Sequence, residues 1–457
     1  MDGALLLCLD FAMREAALFA ACGFLVLGTS DLAVDLIWIG LMLRRRLSSP
    51  PETLAPSADE LADAPGPLAV FIPAWDESAV IGRMLSNTLN KFSHGDYRLY
   101  VGCYPNDPAT IAAVRSVCDP RVRLVIGQAP GGTTKADCLN RLWAAMLGDE
   151  AAQGRRVKAV VLHDAEDVVH PAELRVFDRL IERFDLVQLP VLPIIDRTTT
   201  QTSNCYADEF AESHGKELVV RQALGASVPS AGVGCAFSRE ALQRVADANG
   251  GLPFDADSLT EDYELGLKLH AAGGRSAFVR LPSGRGVVAT REYFPGTVEA
   301  AVAQKSRWMT GIALSGWDRL GWSGSLAERW MRLRDRQSVL AAILLVSGYA
   351  AFLLWLLLKL AELAFGVAPA PISPTLGALM LANSFLLVWR LAMRCGFVAH
   401  SYGWREGLKS IPRVVIGNLI AILAAREAVL RYLLHRRSGI ARWDKTAHAF
   451  PAEVPAE

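Results

Sequence analysis

The chain has 457 residues, 52% of them hydrophobic, with 47 Lys and Arg balanced by 47 Asp and Glu. A mean hydropathy of +0.25 excludes an ordinary soluble enzyme, and the lack of like-charge blocks excludes a nucleic-acid partner. Eight cysteines with no CxxC pair or zinc spacing exclude a disulfide framework and point to reduced thiols in a cytosolic compartment.

The first predicted element is a membrane anchor. Ala16 to Leu43 is apolar apart from Thr29, Ser30, Asp31 and Asp35, and Arg44-Arg45-Arg46 follows it. It is too long for a signal-peptide core. Asp31 and Asp35, four residues apart, share one helix face, and intramembrane acids face protein or water. Ser48 to Gly66, rich in Pro, Ala, Ser and acid, reads as a linker.

Strand and helix patterns then alternate. Leu68–Ile72, Tyr97–Tyr104, Val122–Ile126 and Val157–Leu162 are short apolar runs, and each is followed by a helical pattern. Repeated βα units predict a doubly wound sheet with helices on both faces. Ligands in such sheets sit beyond the carboxyl ends of the strands. Three strands end there in acid: Asp76 and Glu77, Asp107, and the run Asp164, Glu166, Asp167. Carboxylates crowded on one strand end need a counter-charge, and a divalent metal bridging a phosphorylated ligand supplies it. The plainer alternative is an acidic N-cap for the helix after His170-Pro171. Gly131-Gly132-Thr133-Thr134-Lys135 lacks Walker spacing. Lys135 at its helix start either neutralises a phosphate or is simply solvated.

Beyond Asp185 the alternation loosens. Gln201–Leu224 reads as a long polar helix and Gly232–Phe237 as a small-residue strand. Thr260 is placed as N-cap of a helix carrying Glu261 and Asp262 in its first turn. Gln304, Arg307 and Trp308, spaced i, i+3, i+4, share a face and form either a sugar-binding surface or an interfacial anchor. Ser338–Phe365 and Pro374–Met393 are long enough to cross a hydrocarbon core of ~30 Å. Arginines 329, 332, 334 and 336, with the first cluster, put the middle region in the cytoplasm. Pro412–Leu434 has a shorter apolar run flanked by basic residues and is expected to lie in the interface, among membrane lipids.

The ordered set IPAWDES, YPNDP, GGTTKADCLN, HDAED, TED and QKSRW resembles the membrane-embedded family-2 glycosyltransferases, which include cellulose, hyaluronan and poly-N-acetylglucosamine synthases. DLAVDLIW and RWDKTAHAFP look closest to the bacteriophage adsorption protein B branch of that family. That branch often carries a C-terminal regulatory domain, and a chain stopping at Glu457 is expected to lack one. The resemblance implies an α/β GT-A fold over residues 67–330, between an anchor at 1–46 with its 47–66 linker and a membrane region at 331–437 with a 438–457 tail. It implies an inverting transferase in the bacterial inner membrane that takes a UDP-sugar and Mg2+ or Mn2+. Asp76, Glu77, Asp107, Lys135 and Asp164 would bind the donor, and Asp164, Glu166 and Asp167 the metal. Asp262 would be the general base, and Gln304, Arg307 and Trp308 would hold the acceptor, with Arg307 near the departing pyrophosphate. The acceptor is either a growing glycan, implying a processive exopolysaccharide synthase with an envelope export partner, or a lipid-linked sugar. A catalytically idle scaffold is the alternative from outside enzymology.

Overall fold

The computed structural model describes residues 3–48, 58, 66–197, 201–284, 286–366, 370–438 and 449–451. Most of the expected linker, and all of the tail except residues 438 and 449–451, lie outside them.

Seven strands form one sheet: β1 (Leu68–Pro73), β2 (Tyr97–Cys103), β3 (Val122–Ile126), β4 (Ala159–Leu162), β5 (Leu186–Gln188), β6 (Cys235–Ser238) and β7 (Ser276–Phe278), in the order β3-β2-β1-β4-β6-β5-β7. β6 runs antiparallel to both neighbours, and the other pairings are parallel. Period-2 alternation explains why β1 is apolar throughout. Leu68, Val70 and Ile72 enter the core on one face of the sheet, and Ala69 and Phe71 enter the core on the other. Chain order reverses at β1, which lies between β2 and β4 with Phe71 opposite Leu162. The loops that leave β1 and β4 therefore emerge side by side, at the switch point where open α/β sheets bind ligands. A small ribbon pairs β8 (Pro282–Ser283) with β9 (Gly286–Val287).

The helices around the sheet are α2 (Ile81–Lys91), α3 (Pro108–Arg115), α4 (Lys135–Gln153), α5 (Glu173–Leu180), α8 (Arg239–Ala248) and α9 (Glu261–Ala271), while α1 (Gly3–Ser48) precedes it. The polar excursion after β5 is α6 (Gln201–Glu212), a π-turn at Ser213–Glu217, and α7 (Leu218–Ala223). After the domain come α10 (Val298–Trp308), a second π-turn at Met309–Ser315, α11 (Gly316–Leu320), α12 (Leu326–Arg336), α13 (Ser338–Phe365), α14 (Pro374–Tyr402) and α15 (Trp404–Ser438).

Helix α1 starts well before Ala16, because Asp10 and Arg14 pair across one turn at 2.8 Å and make that stretch compatible with a helix. Arg14 also donates to the Pro371 carbonyl at 3.0 Å, which ties this end of α1 to the α13–α14 loop. Among the described residues four helices, rather than three, are long and apolar enough to cross a membrane, the fourth being Trp404–Leu434. Arg426 and Glu427 interrupt its apolar run without ending the helix. One face of α15 is buried at Arg413, Ile420, Ala424 and Ala428, and the opposite face exposes Leu408, Val415, Leu419, Leu430 and Leu433. The buried face meets the α/β domain over much of its length. Arg413 pairs with Asp208 of α6 at 2.7 Å, and Thr310 donates to the Ala428 carbonyl at 3.4 Å.

Candidate active site

The loop after β4 folds back on itself. His163 and Asp167 are fully buried, with His163 Nδ1 2.7 Å from Asp167 Oδ2 and Nε2 2.6 Å from Glu173 Oε1. Burial pulls the imidazole pKa down, but the carboxylates of Glu173 and Asp167 outweigh it and lift it to about 10. The Asp164 N–H donates to Asp167 Oδ2 at 3.1 Å. Asp167 is thus a brace inside the loop. It does not line the cavity at this end of the sheet, whereas Asp164 and Glu166 do. Asp167, expected in the metal set, has its carboxylate turned inward to an imidazolium and a backbone N–H.

Lys135 is not solvated. Its Nζ lies 2.6 Å from Asp164 Oδ1, and it also feels the charges of Glu261 and Asp262. It is the counter-charge of the acidic cluster. Thr134 caps its helix by accepting from the Asp137 N–H at 3.3 Å.

The loop after β1 is held by the loop after β2. Asp107 Oδ2 accepts from the Asp76 N–H at 2.6 Å, and its Oδ1 accepts from the Thr110 N–H at 3.2 Å as the N-cap of α3. Asp76 has φ +55°, the one left-handed non-glycine among the described residues. Neither Asp76 nor Asp107 lines the cavity, while Glu77 does. Their strand-end position made all three equivalent in the sequence, and the hydrogen bonds separate them.

Asp262 opens α9 on another wall of the cavity, with Oδ1 accepting from the Tyr263 N–H at 2.8 Å. Gly232 (φ +76°) faces it, and a Cβ there would come 2.2 Å from Asp262 Oδ2. Burial raises the Asp262 pKa against the pull of Lys135, and the charge of Asp164 raises it further. Burial and the neighbouring Asp262 also push Glu261 up to about 7. Thr260 occupies the N-cap position, yet its hydroxyl bonds to nothing among the described residues. It is 5% exposed and lines the cavity.

Gln304, Arg307 and Trp308 reach the same cavity from α10. Sequence reasoning missed their neighbours Phe210 of α6 and Phe294. The centroids of these two rings are 5.1 Å apart, and each lies 6.4 Å from that of Trp308. It also missed Glu292, whose carboxyl lines the cavity, its pKa held well above the usual range by burial and by Asp167, Glu166 and Asp164. No local motif marks these residues. The Val168–Arg291 bridge brings Glu292 against the loop after β4.

Among the described residues no three His, Cys, Asp or Glu side chains form a ready-made metal cage. Of the carboxylates lining the cavity, Asp164 and Glu166, both on the loop after β4, fit instead a cation completed by substrate phosphates. Asp164 already carries a cationic partner at that place.

A sequence profile described as glycosyltransferase-like family 2 matches residues 65–311. The chain belongs to glycosyltransferase family 2. Over 97% of its length this glycosyltransferase is 36% identical to bacteriophage adsorption protein B of Escherichia coli K12, and equally to bacteriophage N4 adsorption protein B of Escherichia coli O157:H7. It spans 63% of the length of each. Among solved structures it resembles the mannosyltransferase PcManGT from Pyrobaculum calidifontis, which was solved with GDP-Man and Mn2+. The TM-score is 0.52 at 17% identity, covering 92% of this chain and 99% of that one. At that identity the likeness concerns the fold alone, a GT-A α/β sheet.

Proposed function

We propose that this glycosyltransferase moves a hexosyl or N-acetylhexosaminyl unit from a UDP-sugar to a hydroxyl of a growing envelope glycan, inverting the anomeric centre. The observation that carries the reading is one cavity lined by Asp164, Glu166, Lys135, Asp262, Gln304, Arg307 and Trp308. A diphosphate donor suits the carboxylate end, where Mg2+ or Mn2+ held by Asp164 and Glu166 would neutralise the leaving nucleotide. Lys135 adds a second cation there. Asp262 takes the acceptor proton, a role that its raised pKa favours. Arg307 stabilises charge on the departing diphosphate, and Trp308 with Phe210 and Phe294 offers apolar ring faces to an acceptor sugar.

The catalytic domain lies on the cytoplasmic side of a bacterial inner membrane, with the arginine-rich ends of α1 and α12 at that surface. Helix α15 lies flat in the interface, because its buried face follows the domain and its apolar face is left for lipid. A lipid-linked acceptor is the second reading, favoured by the packing of α15 against the residues around Trp308. Export of a polymer would call on an envelope partner.

Membrane vesicles holding the full chain, supplied with a panel of labelled UDP-sugars and Mn2+, test this. Label in a chain-extended polymer supports the first reading, and label in a single-sugar lipid extract supports the second. No metal-dependent transfer from any donor in the panel refutes both.

A further inference from the structure

Asp31 and Asp35 of α1 take no part in the chemistry above, yet each is the hub of a charge cluster that reaches the catalytic domain. Asp35 is 2% exposed. It accepts from Lys216 Nζ at 2.5 Å and from Trp389 Nε1 at 2.8 Å. Lys216 also holds Glu212 at 2.8 Å, and Glu212 pairs with Arg394 at 3.1 Å. Asp31 pairs with Arg334 at 3.0 Å and with Arg390, and Arg334 reaches Glu217 at 3.2 Å. Each cluster has two carboxylates and two cations and is therefore neutral. Each joins an acid of α1 and an arginine of α14 to an acid flanking or closing the first π-turn. The Asp35 set is buried, and buried charges persist only when such a set is geometrically complete; the Asp31 set, with Arg390 and Glu217 half exposed, ties the same three elements nearer the surface.

The element they grip is the π-turn Ser213–Glu217, a kind of helix irregularity that is frequent at functional sites. It is pressed against α14, since a Cβ on Gly215 would come 2.6 Å from Phe397. His214 Nδ1 accepts from the Val191 N–H at 2.8 Å, and Val191 lines the catalytic cavity. Phe210, one turn earlier, lines it too, with its ring centroid 5.0 Å from that of His214. The bilayer helices and the aromatic wall of the cavity are thus connected through a single turn.

We propose that Asp35, acting through Lys216, is a positioning residue for the acceptor wall: the membrane helices set where Phe210 and Val191 stand in the cavity. This rests on the reading of that wall as the acceptor surface. Donor binding, on the Asp164 and Lys135 side, is independent of it.

The test uses the full chain with Asp35→Asn and, as the conservative variant, Asp35→Glu. Phe210 is replaced by 4-cyanophenylalanine in parallel samples, so that the nitrile stretch reports the surroundings of the wall without any substrate. The band shifts in Asp35→Asn and returns towards its original position in Asp35→Glu. In vesicles, transfer to the endogenous acceptor falls by up to on the order of 10²-fold in Asp35→Asn, as for a misplaced reactant. Donor hydrolysis by water and calorimetric UDP affinity stay unchanged. An unmoved nitrile band overturns the positioning role. Parallel loss of transfer, hydrolysis and UDP affinity also overturns it, because that pattern marks a folding defect. A shifted band with full transfer overturns the acceptor assignment of the wall and leaves the donor reading standing.

Discussion

Replacing His163 by glutamine tests the brace beneath the loop after β4. In the native protein the imidazolium sits between Asp167 and Glu173 at 2.7 and 2.6 Å, with all three side chains fully buried. Glutamine keeps hydrogen-bonding capacity but leaves two buried carboxylates without their cation, a loss of about 3–5 kcal/mol. The titration gives a similar figure. A pKa raised from 6.5 to about 10 corresponds to about 5 kcal/mol at most. The sign follows from the raised pKa: the stabilisation is full below the unfolded value of 6.5 and disappears as pH rises through about 10. Between those limits the wild type loses about 1.4 kcal/mol per pH unit, or about 3–6 °C in unfolding midpoint for a domain of this size. Differential scanning fluorimetry of the full chain in detergent, from pH 7 to 10, measures both effects. His163→Gln unfolds about 6–20 °C lower at pH 7, and its midpoint is flatter across the range. A variant that melts with the wild type, or that keeps the wild-type pH slope, refutes the buried imidazolium.

Asp262→Asn keeps the hydrogen bond to the Tyr263 N–H and loses the base, so transfer drops by ~10²–10⁴ while calorimetric UDP affinity is retained. Transfer within a few-fold of wild type would reduce Asp262 to a helix-terminal acid. Gly232→Ala puts a methyl group where Asp262 Oδ2 stands, at a φ of +76°. Turnover therefore falls together with a stability loss of about 1 kcal/mol or more, and an unaffected enzyme would show that Asp262 moves freely. Asp164→Asn weakens metal-dependent UDP binding in calorimetry, and EDTA abolishes the difference between variant and wild type; equal affinities in Mn2+ count against the metal assignment. A periplasm-only reporter fused at Pro130 stays silent, and activity there would reverse the topology.

The βα rhythm through Leu162 was legible because a buried parallel strand is a short apolar run and its helix follows at once, both local signals. The positions of HDAED, TED and QKSRW were equally legible, since each is a few contiguous residues at an element end. Hydropathy gave three of the four long apolar helices among the described residues as spans. It put the fourth in the interface because Arg426 and Glu427 break its apolar run, though they do not break the helix.

What each acid does was not legible. Asp76, Asp107, Asp164 and Asp167 look alike as strand-end carboxylates, yet Asp107 is taken by two backbone N–H groups and Asp167 by His163. Which carboxylate faces a ligand depends on partners that only packing supplies. Lys135 is likewise defined by Asp164 across the sheet edge. Phe210, Glu292 and Phe294 come from segments without motif or period, and Lys216 meets Asp35 across 181 positions of sequence. A chain writes its periodicity locally, whereas the pairing of charges and the closing of a cavity are non-local. The sequence by itself therefore determined the fold class and the chemistry's residue types, and tertiary structure alone decided which of them meet.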